Sequence, residues 1–333
     1  MKKVALIAVQ LEVNAEVVAS PQGYRNHICD MVACAVEDAG PAEAKLIVLP
    51  EVCGHLALLA LAPPAAHKRR TLGEALAMAA VRRPLEVLRG VATTRQLHPR
   101  AAVLAALAPD GERFWRHVMG PLARKHDAYV VAGSHLRLGP DGDLTNASFL
   151  FAPDGRCVGT TDKVNLVPGV EDGAPKGLGL ARGDADQLPT VATPFGRVAT
   201  LVGYDGFRIP HTTLERFVPL APRVKARGGV AFVANPCANT WPWDGPWPPP
   251  RLAHPNSEHA TRAVQWEQEG LAASLREVRF ARFGVTSHLV GGVLDLVFDG
   301  ASQIVACDRT GVRELARAPS PHHGGHVVAT VTC

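Results

Sequence analysis

The sequence predicts an α/β protein in which helices cover buried sheet, folded as one domain. Three observations carry this expectation. Short, continuous apolar runs bounded by polar residues, the pattern of strands buried on both faces, alternate along the chain with longer stretches of helical character. The 333 residues include 47% hydrophobic and 20% charged side chains, an ordinary soluble composition that excludes bulk disorder. Residues 1–333 contain no internal repeat and no linker long enough to divide them, so they are assigned to a single domain.

Taken in order, strands are expected at 4–9, 46–49, 128–132, 147–151, 198–202, 230–234, 284–290, 293–297 and 327–331. Helices are expected around 24–38, 72–90, 112–126, 211–226 and 258–281. Pro153-Asp154-Gly155 is a turn signal, so 146–161 reads as a hairpin. Residues 54–111, rich in Ala, Leu, Arg and Pro, read as an extended helical excursion. Residues 236–256 gather Trp241, Trp243 and Trp247 among prolines, a semi-rigid aromatic loop that either covers an apolar edge or walls a pocket.

Several function classes fall away on charge and composition. Thirty-five basic and 31 acidic side chains leave a formal +4, with no basic run longer than Lys68-Arg69-Arg70; a nucleic-acid partner is not expected. The longest uncharged stretches, 52–67 and 228–243, are broken by proline and shorter than the ~20 residues of a membrane span, so no membrane partner is expected. The apolar run at 4–9 is too short for a signal peptide, which points to the cytoplasm. Seven widely spaced cysteines without a CxxC pair argue against a disulfide framework or a cysteine-rich zinc site. His322, His323 and His326 leave a metallohydrolase as a minor alternative, one that predicts chelator-sensitive activity.

Three places carry chemistry. Strand 46–49 runs into Pro50-Glu51, placing a carboxylate at the C-terminal end of a buried strand, where ligands of α/β folds bind. Asp162-Lys163 follows the second strand of the hairpin and leads to Glu171. Strand 198–202 runs into Gly203-Tyr204-Asp205-Gly206, a sharp glycine-rich turn with the shape of a nucleophile elbow.

Together these segments resemble the carbon–nitrogen hydrolase (nitrilase) superfamily. The motifs stand as LIVLPE (46–51), DKVNLVPGVE (162–171) and TPFGRVATLVGYD (193–205), in the family's order. RKHDAYVVAG (124–133), FLFAPDGRCVG (149–159), GGVAFVANP (228–236) and FDGASQIVACDRTG (298–311) support them, so the likeness spans nearly the whole chain. It implies an α-β-β-α sandwich and acyl transfer without cofactor or metal. By the same resemblance, Glu51 is the general base and Lys163 the oxyanion stabiliser, aided by the backbone N–H of Tyr204. Glu171 is the second carboxylate, orienting Lys163. Tyr204, Asp205, Phe207, Arg208, Asn235 and Trp241 are the expected substrate-binding set. Tyr-Asp after the elbow, rather than Trp-Glu, places the chain with hydrolases of linear amides and N-carbamoyl groups; a true nitrilase is the alternative. The likeness also implies a homodimer, paired through 211–227, and a small-molecule amide as partner.

The sequence departs from the family at one position. Gly203 stands where the family carries its nucleophilic cysteine, and a glycine can neither attack a carbonyl nor form a thioester. Cys53 and Cys237 lie off the elbow and are expected to be buried small hydrophobes rather than substitutes. Two readings of Gly203 stay open: a change that inactivates the enzyme, or a natural non-catalytic protein that binds an amide or acid ligand. Retention of Glu51, Lys163 and Glu171 favours the first, because buried charges are costly to keep without a use.

Overall fold

The computed structural model describes residues 2–95, 97–212, 215–246 and 261–333. The chain opens with β1 (Lys3–Val13), α1 (Pro21–Ala39) and β2 (Ala44–Val48). A helical excursion follows: α2 (Cys53–Ala60), α3 (Pro64–His67), α4 (Leu72–Arg82), α5 (Pro84–Thr93) and α6 (Pro99–His126). Then come β3 (Tyr129–Val131), β4 (His135–Leu138), β5 (Leu144–Phe151), β6 (Cys157–Asp162), β7 (Thr190–Thr193) and β8 (Gly196–Thr200). The last part comprises α7 (Ala221–Ala226), β9 (Val230–Ala238), α8 (Arg262–Glu269), α9 (Leu271–Val278) and β10 (Ala281–Val293). It closes with β11 (Leu296–Phe298), β12 (Gln303–Cys307), β13 (Val312–Arg317) and β14 (Gly325–Thr332).

The strands form two sheets. In the first, β3, β2 and β1 run parallel, β14 lies antiparallel on β1, and β5 joins β3 to β4 and β6. In the second, β8, β9 and β10 run parallel, with β7 antiparallel on β8 and β12 and β13 beyond β10. The sheets meet where Leu11, Glu12 and Val13 of β1 pair with Leu289, Val290 and Gly291 of β10.

Side-chain alternation along β1 explains the layering. Val4, Leu6 and Ala8 point into the space between the sheets, where they meet Phe232, Val285 and Ile304. Ile7, Val9 and Leu11 point the other way, onto Tyr24, Ile28 and Val32 of α1 and Trp115 and Met119 of α6. On the far side, Leu201 and Val233 pack on Val224 of α7 and Leu275 of α9. The result is the expected α-β-β-α sandwich. Strands read as near-continuous apolar runs because both of their faces are covered.

The differences from the sequence reading are local. The stretch at 72–90 is two helices, since Pro84 lacks the N–H needed to continue the first. Of 211–226 only Ala221–Ala226 is helical, so the surface expected to pair copies is largely irregular; residues 213 and 214 lie outside the described residues. The helix expected at 258–281 is two, parted at Gly270, and residues 258–260 lie outside the described residues. The strand at 284–290 continues unbroken to Val293 and then turns at Leu294 (φ 55°) into β11. Residues 247–256 of the Trp/Pro-rich loop, Trp247 included, lie outside the described residues. Among the described residues no helix is long and apolar enough to cross a membrane.

Phe232 is fully buried between the sheets, its ring 5.3 Å from that of Phe195 and 5.4 Å from that of Phe283. Phe232→Ala is expected to lower the stability by about 3–5 kcal/mol in urea unfolding, through lost burial and the cavity it leaves.

Candidate active site

The site forms at the C-terminal ends of the strands. Leu49 still donates its N–H to Val131 O (2.9 Å), and the chain then turns sharply through Pro50-Glu51-Val52. Val52 has φ 69°, a left-handed conformation that is strained for a β-branched residue, and its N–H is held by Ser134 Oγ at 2.9 Å. This turn sends the Glu51 side chain inward. Lys163 directly follows β6, and its backbone N–H donates to Asn146 O (2.8 Å).

The three charged side chains expected from the sequence come together. Lys163 Nζ donates to Glu51 Oε1 (2.6 Å) and to Glu171 Oε2 (2.5 Å), and all three residues are buried. Asn146 Nδ2 bridges the two carboxylates, donating to Glu51 Oε1 (2.9 Å) and Glu171 Oε1 (2.8 Å). Backbone N–H groups complete the set: Val167 donates to Glu171 Oε2 (2.9 Å) and Ala238 to Glu51 Oε2 (3.2 Å). His55 Nε2 lies 3.0 Å from Asn146 Oδ1, an acceptor, and so carries its proton there.

Burial and charge divide the protons unequally. Burial, with the Glu171 charge nearby, outweighs the Lys163 ammonium and lifts the Glu51 carboxyl from 4.5 to about 7. Glu171 is equally buried, yet the ammonium and its hydrogen bonds hold its carboxyl below the usual range. Lys163 is desolvated too, but the two carboxylates keep it firmly protonated. Burial lowers the His55 imidazole to about 4, leaving it neutral. The arrangement therefore offers a fixed cation beside one carboxylate that can take up a proton near neutral pH.

Gly203 opens a single tight turn, Gly203–Gly206, after β8, and has φ 49°. Asn235 Nδ2 pins this elbow by donating to Leu201 O (2.6 Å) and Gly203 O (3.1 Å). A Cβ added at Gly203 would stand 2.1 Å from Glu51 Oε2, so any side chain at this position would press on the Glu51 carboxylate.

A cavity of about 440 Å³ opens over this cluster, lined at its base by Glu51, Lys163, Glu171 and Trp241. The remaining expected substrate-binding residues are placed elsewhere. Tyr204 donates its hydroxyl to Glu215 Oε1 (2.7 Å) and stacks on His211, while Phe207 packs edge-on against Trp266. Asp205 accepts from the backbone N–H groups of Asn165 (2.7 Å) and Val164 (3.1 Å), fixing the segment after Lys163, and burial raises its carboxyl to about 6. Arg208 donates to Gln268 O (2.8 Å) and pairs with Glu277 on the outside of α8 and α9. Asn235 acts on the elbow backbone, as described. Cys53 and Cys237 donate their thiols to Pro50 O (2.8 Å) and Asn235 O (3.2 Å), line no part of the cavity, and are held protonated by burial. His322 and His326 pair with Asp299 (3.0 Å) and Asp38 (2.7 Å), away from the lining.

Asn146 and His55 were not among the residues read from the sequence. The available signal for Asn146 is an amide side chain within a strand, which must find partners when buried. For His55 it is a position in the first turn of the helix that follows Glu51.

With this geometry in view, the likeness to known proteins can be stated. The family model described as carbon-nitrogen hydrolase matches residues 4–315. An amidase from Nesterenkonia sp. AN1, solved with acrylamide added at its active-site cysteine, is 18% identical; the match covers 99% of this chain and 92% of that one, with a TM-score of 0.58. A mutant of that amidase in complex with butyramide matches at 18% identity over 99% and 90% of the two chains, TM-score 0.59. Nit3 of Saccharomyces cerevisiae, described as a branch 10 member of the nitrilase superfamily, is 16% identical over 99% and 90%, TM-score 0.58. No curated protein matches the chain.

The raised Glu51 carboxyl sets a pH dependence. Between 4.5 and about 7 the folded chain keeps a proton on Glu51 that the unfolded chain has released. The unfolded state then binds fewer protons, so this group's contribution to stability falls as pH rises through that window. Glu51→Gln removes the effect. Its stability relative to the parent, from urea unfolding at pH 5 and pH 7.5, is expected to rise by on the order of 2–3 kcal/mol and to level off above pH 7. A difference independent of pH would show that Glu51 is not the titrating group.

Proposed function

The chain belongs to the carbon-nitrogen hydrolase family, and from that premise we propose that its cavity is the site of an amidase, binding a linear amide or N-carbamoyl group with the carbonyl directed at Lys163. The observation that carries this reading is the buried Glu51–Lys163–Glu171 cluster, which abuts position 203. Two structures of one solved relative, the Nesterenkonia amidase, carry acrylamide added at the active-site cysteine and butyramide in complex, which supports the class of ligand.

The roles follow from the protonation states. With a thiol at position 203, Glu51 would take its proton and the sulfur would attack the amide carbon. Lys163, permanently charged, would stabilise the oxyanion, and the proton on Glu51 would pass to the leaving nitrogen. Water would then hydrolyse the thioester, releasing the acid and restoring the thiol. Glu171 keeps Lys163 charged and aimed. With Gly203 the covalent route has no nucleophile, so this chain binds the amide and does not turn it over by that route. One further observation favours binding without turnover: Glu51 Oε2 occupies the space into which a side chain at 203 would project.

Gly203→Cys tests the reading. Ammonia release from short linear amides and N-carbamoyl amino acids is expected from Gly203→Cys, and neither from the parent chain nor from Gly203→Cys combined with Glu51→Gln. A folded Gly203→Cys that is silent on every compound, while the parent also binds none of them, would overturn the proposal. A second outcome is expected in the same variant. A cysteine at φ 49° is strained and displaces the Glu51 carboxylate. Gly203→Cys should therefore unfold at lower temperature, by a stability difference of about 1–2 kcal/mol.

A further inference from the structure

The cavity is far larger than its reactive end requires, and its composition changes with depth. At the base stand Glu51, Lys163 and Glu171, each no more than 5% exposed. At the solvent side the lining includes exposed Lys176 and Asp295. Between these charged ends the wall is aliphatic: Leu56 and Leu59 from α2, Leu72 and Leu76 from α4, Leu104 from α6, and Leu136 from β4. Five of these six residues come from the helical excursion, which contributes nothing to the charged cluster apart from His55.

These six side chains have no donors or acceptors with which to hold water or a polar substituent. They gain instead from burying methylene groups. The capacity of the cavity can be gauged from the volume. At roughly 30 Å³ per water-sized heavy atom, a cavity of about 440 Å³ takes roughly fifteen atoms, and the amide group uses three of them. Among the described residues, apart from Trp241 and Phe298, the lining carries no aromatic face other than His55, and the leucines of the helical excursion suit a flexible alkyl chain.

We propose that the preferred ligand is the primary amide of a medium-chain aliphatic acid, with its amide on Lys163 and its alkyl chain lying along the leucine wall of α2, α4 and α6. This rests on the amide reading of the charged cluster and adds the substrate class. The excursion thereby acts as the specificity-determining part of the fold.

The test measures binding to the chain as it stands, by ligand-observed NMR with acetamide, butyramide, hexanamide and octanamide. Affinity is expected to rise roughly threefold per methylene from butyramide to octanamide. Leu76→Trp, which fills the wall without touching the charged cluster, is expected to abolish that gain, leaving octanamide no tighter than butyramide. Acetamide and octanamide binding equally would overturn the tail site and leave the amide reading intact. So would a folded Leu76→Trp that still binds octanamide as the parent does. Failure of every amide to bind, together with a silent Gly203→Cys, would overturn the amide reading itself.

Discussion

Two carboxylates share one ammonium inside this protein, and much of the surrounding structure can be understood as what that arrangement requires. Removing Glu51, Lys163 and Glu171 from water carries a desolvation penalty of several kcal/mol per ion, which their mutual attraction offsets only if every remaining lone pair is satisfied. The partners that satisfy them come from different elements. Asn146 lies on β5, the N–H of Val167 on the segment after β6, and the N–H of Ala238 at the end of β9. The cluster therefore closes only when both sheets are formed and correctly registered. It also leaves one negative charge in excess, and the proton held on Glu51 relieves it.

That surplus links stability to chemistry. A carboxyl poised near neutrality is what a general base needs, and it is poised because the fold leaves it short of compensating charge. Glu171 has a backbone N–H and the ammonium on the same oxygen and stays ionised, so the two carboxylates, close as they are, are driven apart in proton affinity. Local strain serves the same end. Val52 is held at positive φ by Ser134, and the Glu51 side chain reaches the cluster from that turn. At Gly203 the backbone keeps the left-handed form of the elbow, but glycine adopts it without strain.

Much of this could be read from the residues. Strands buried on both faces announce themselves as apolar runs; Glu51 falls at the end of one, and Lys163 and Glu171 follow the hairpin, in an order that the resemblance interprets. What could not be read depends on register. Asn146 sits opposite Leu136 on β4 and beside Lys163 only because β5 pairs as it does, and its place within a strand does not tell which partners it finds. Arg208 illustrates the converse. It lies five residues past the elbow, close in sequence to the site, yet its backbone N–H is tied to Glu269 O (2.8 Å), which directs it to the outer helices. Tyr204 and Phe207 are likewise turned into an aromatic cluster behind the elbow rather than toward the cavity. Proximity along the chain predicted contact for these residues, and the sharpness of the turn defeated it.

The division between chemistry and selectivity follows from where the fold can tolerate change. The charged cluster is locked by hydrogen bonds from both sheets, so altering any member leaves a buried polar group unsatisfied. The leucine wall carries no such obligation. Its side chains contribute only shape and apolar area, and helices α2 to α6 enter and leave the sandwich between consecutive parallel strands, β2 and β3. A segment attached in this way can be reshaped while the pairing of Leu46, Ile47 and Val48 with Tyr129, Val130 and Val131 stays fixed. Glu51 stands at the start of that segment, and this single connection joins the charged base of the cavity to its leucine wall.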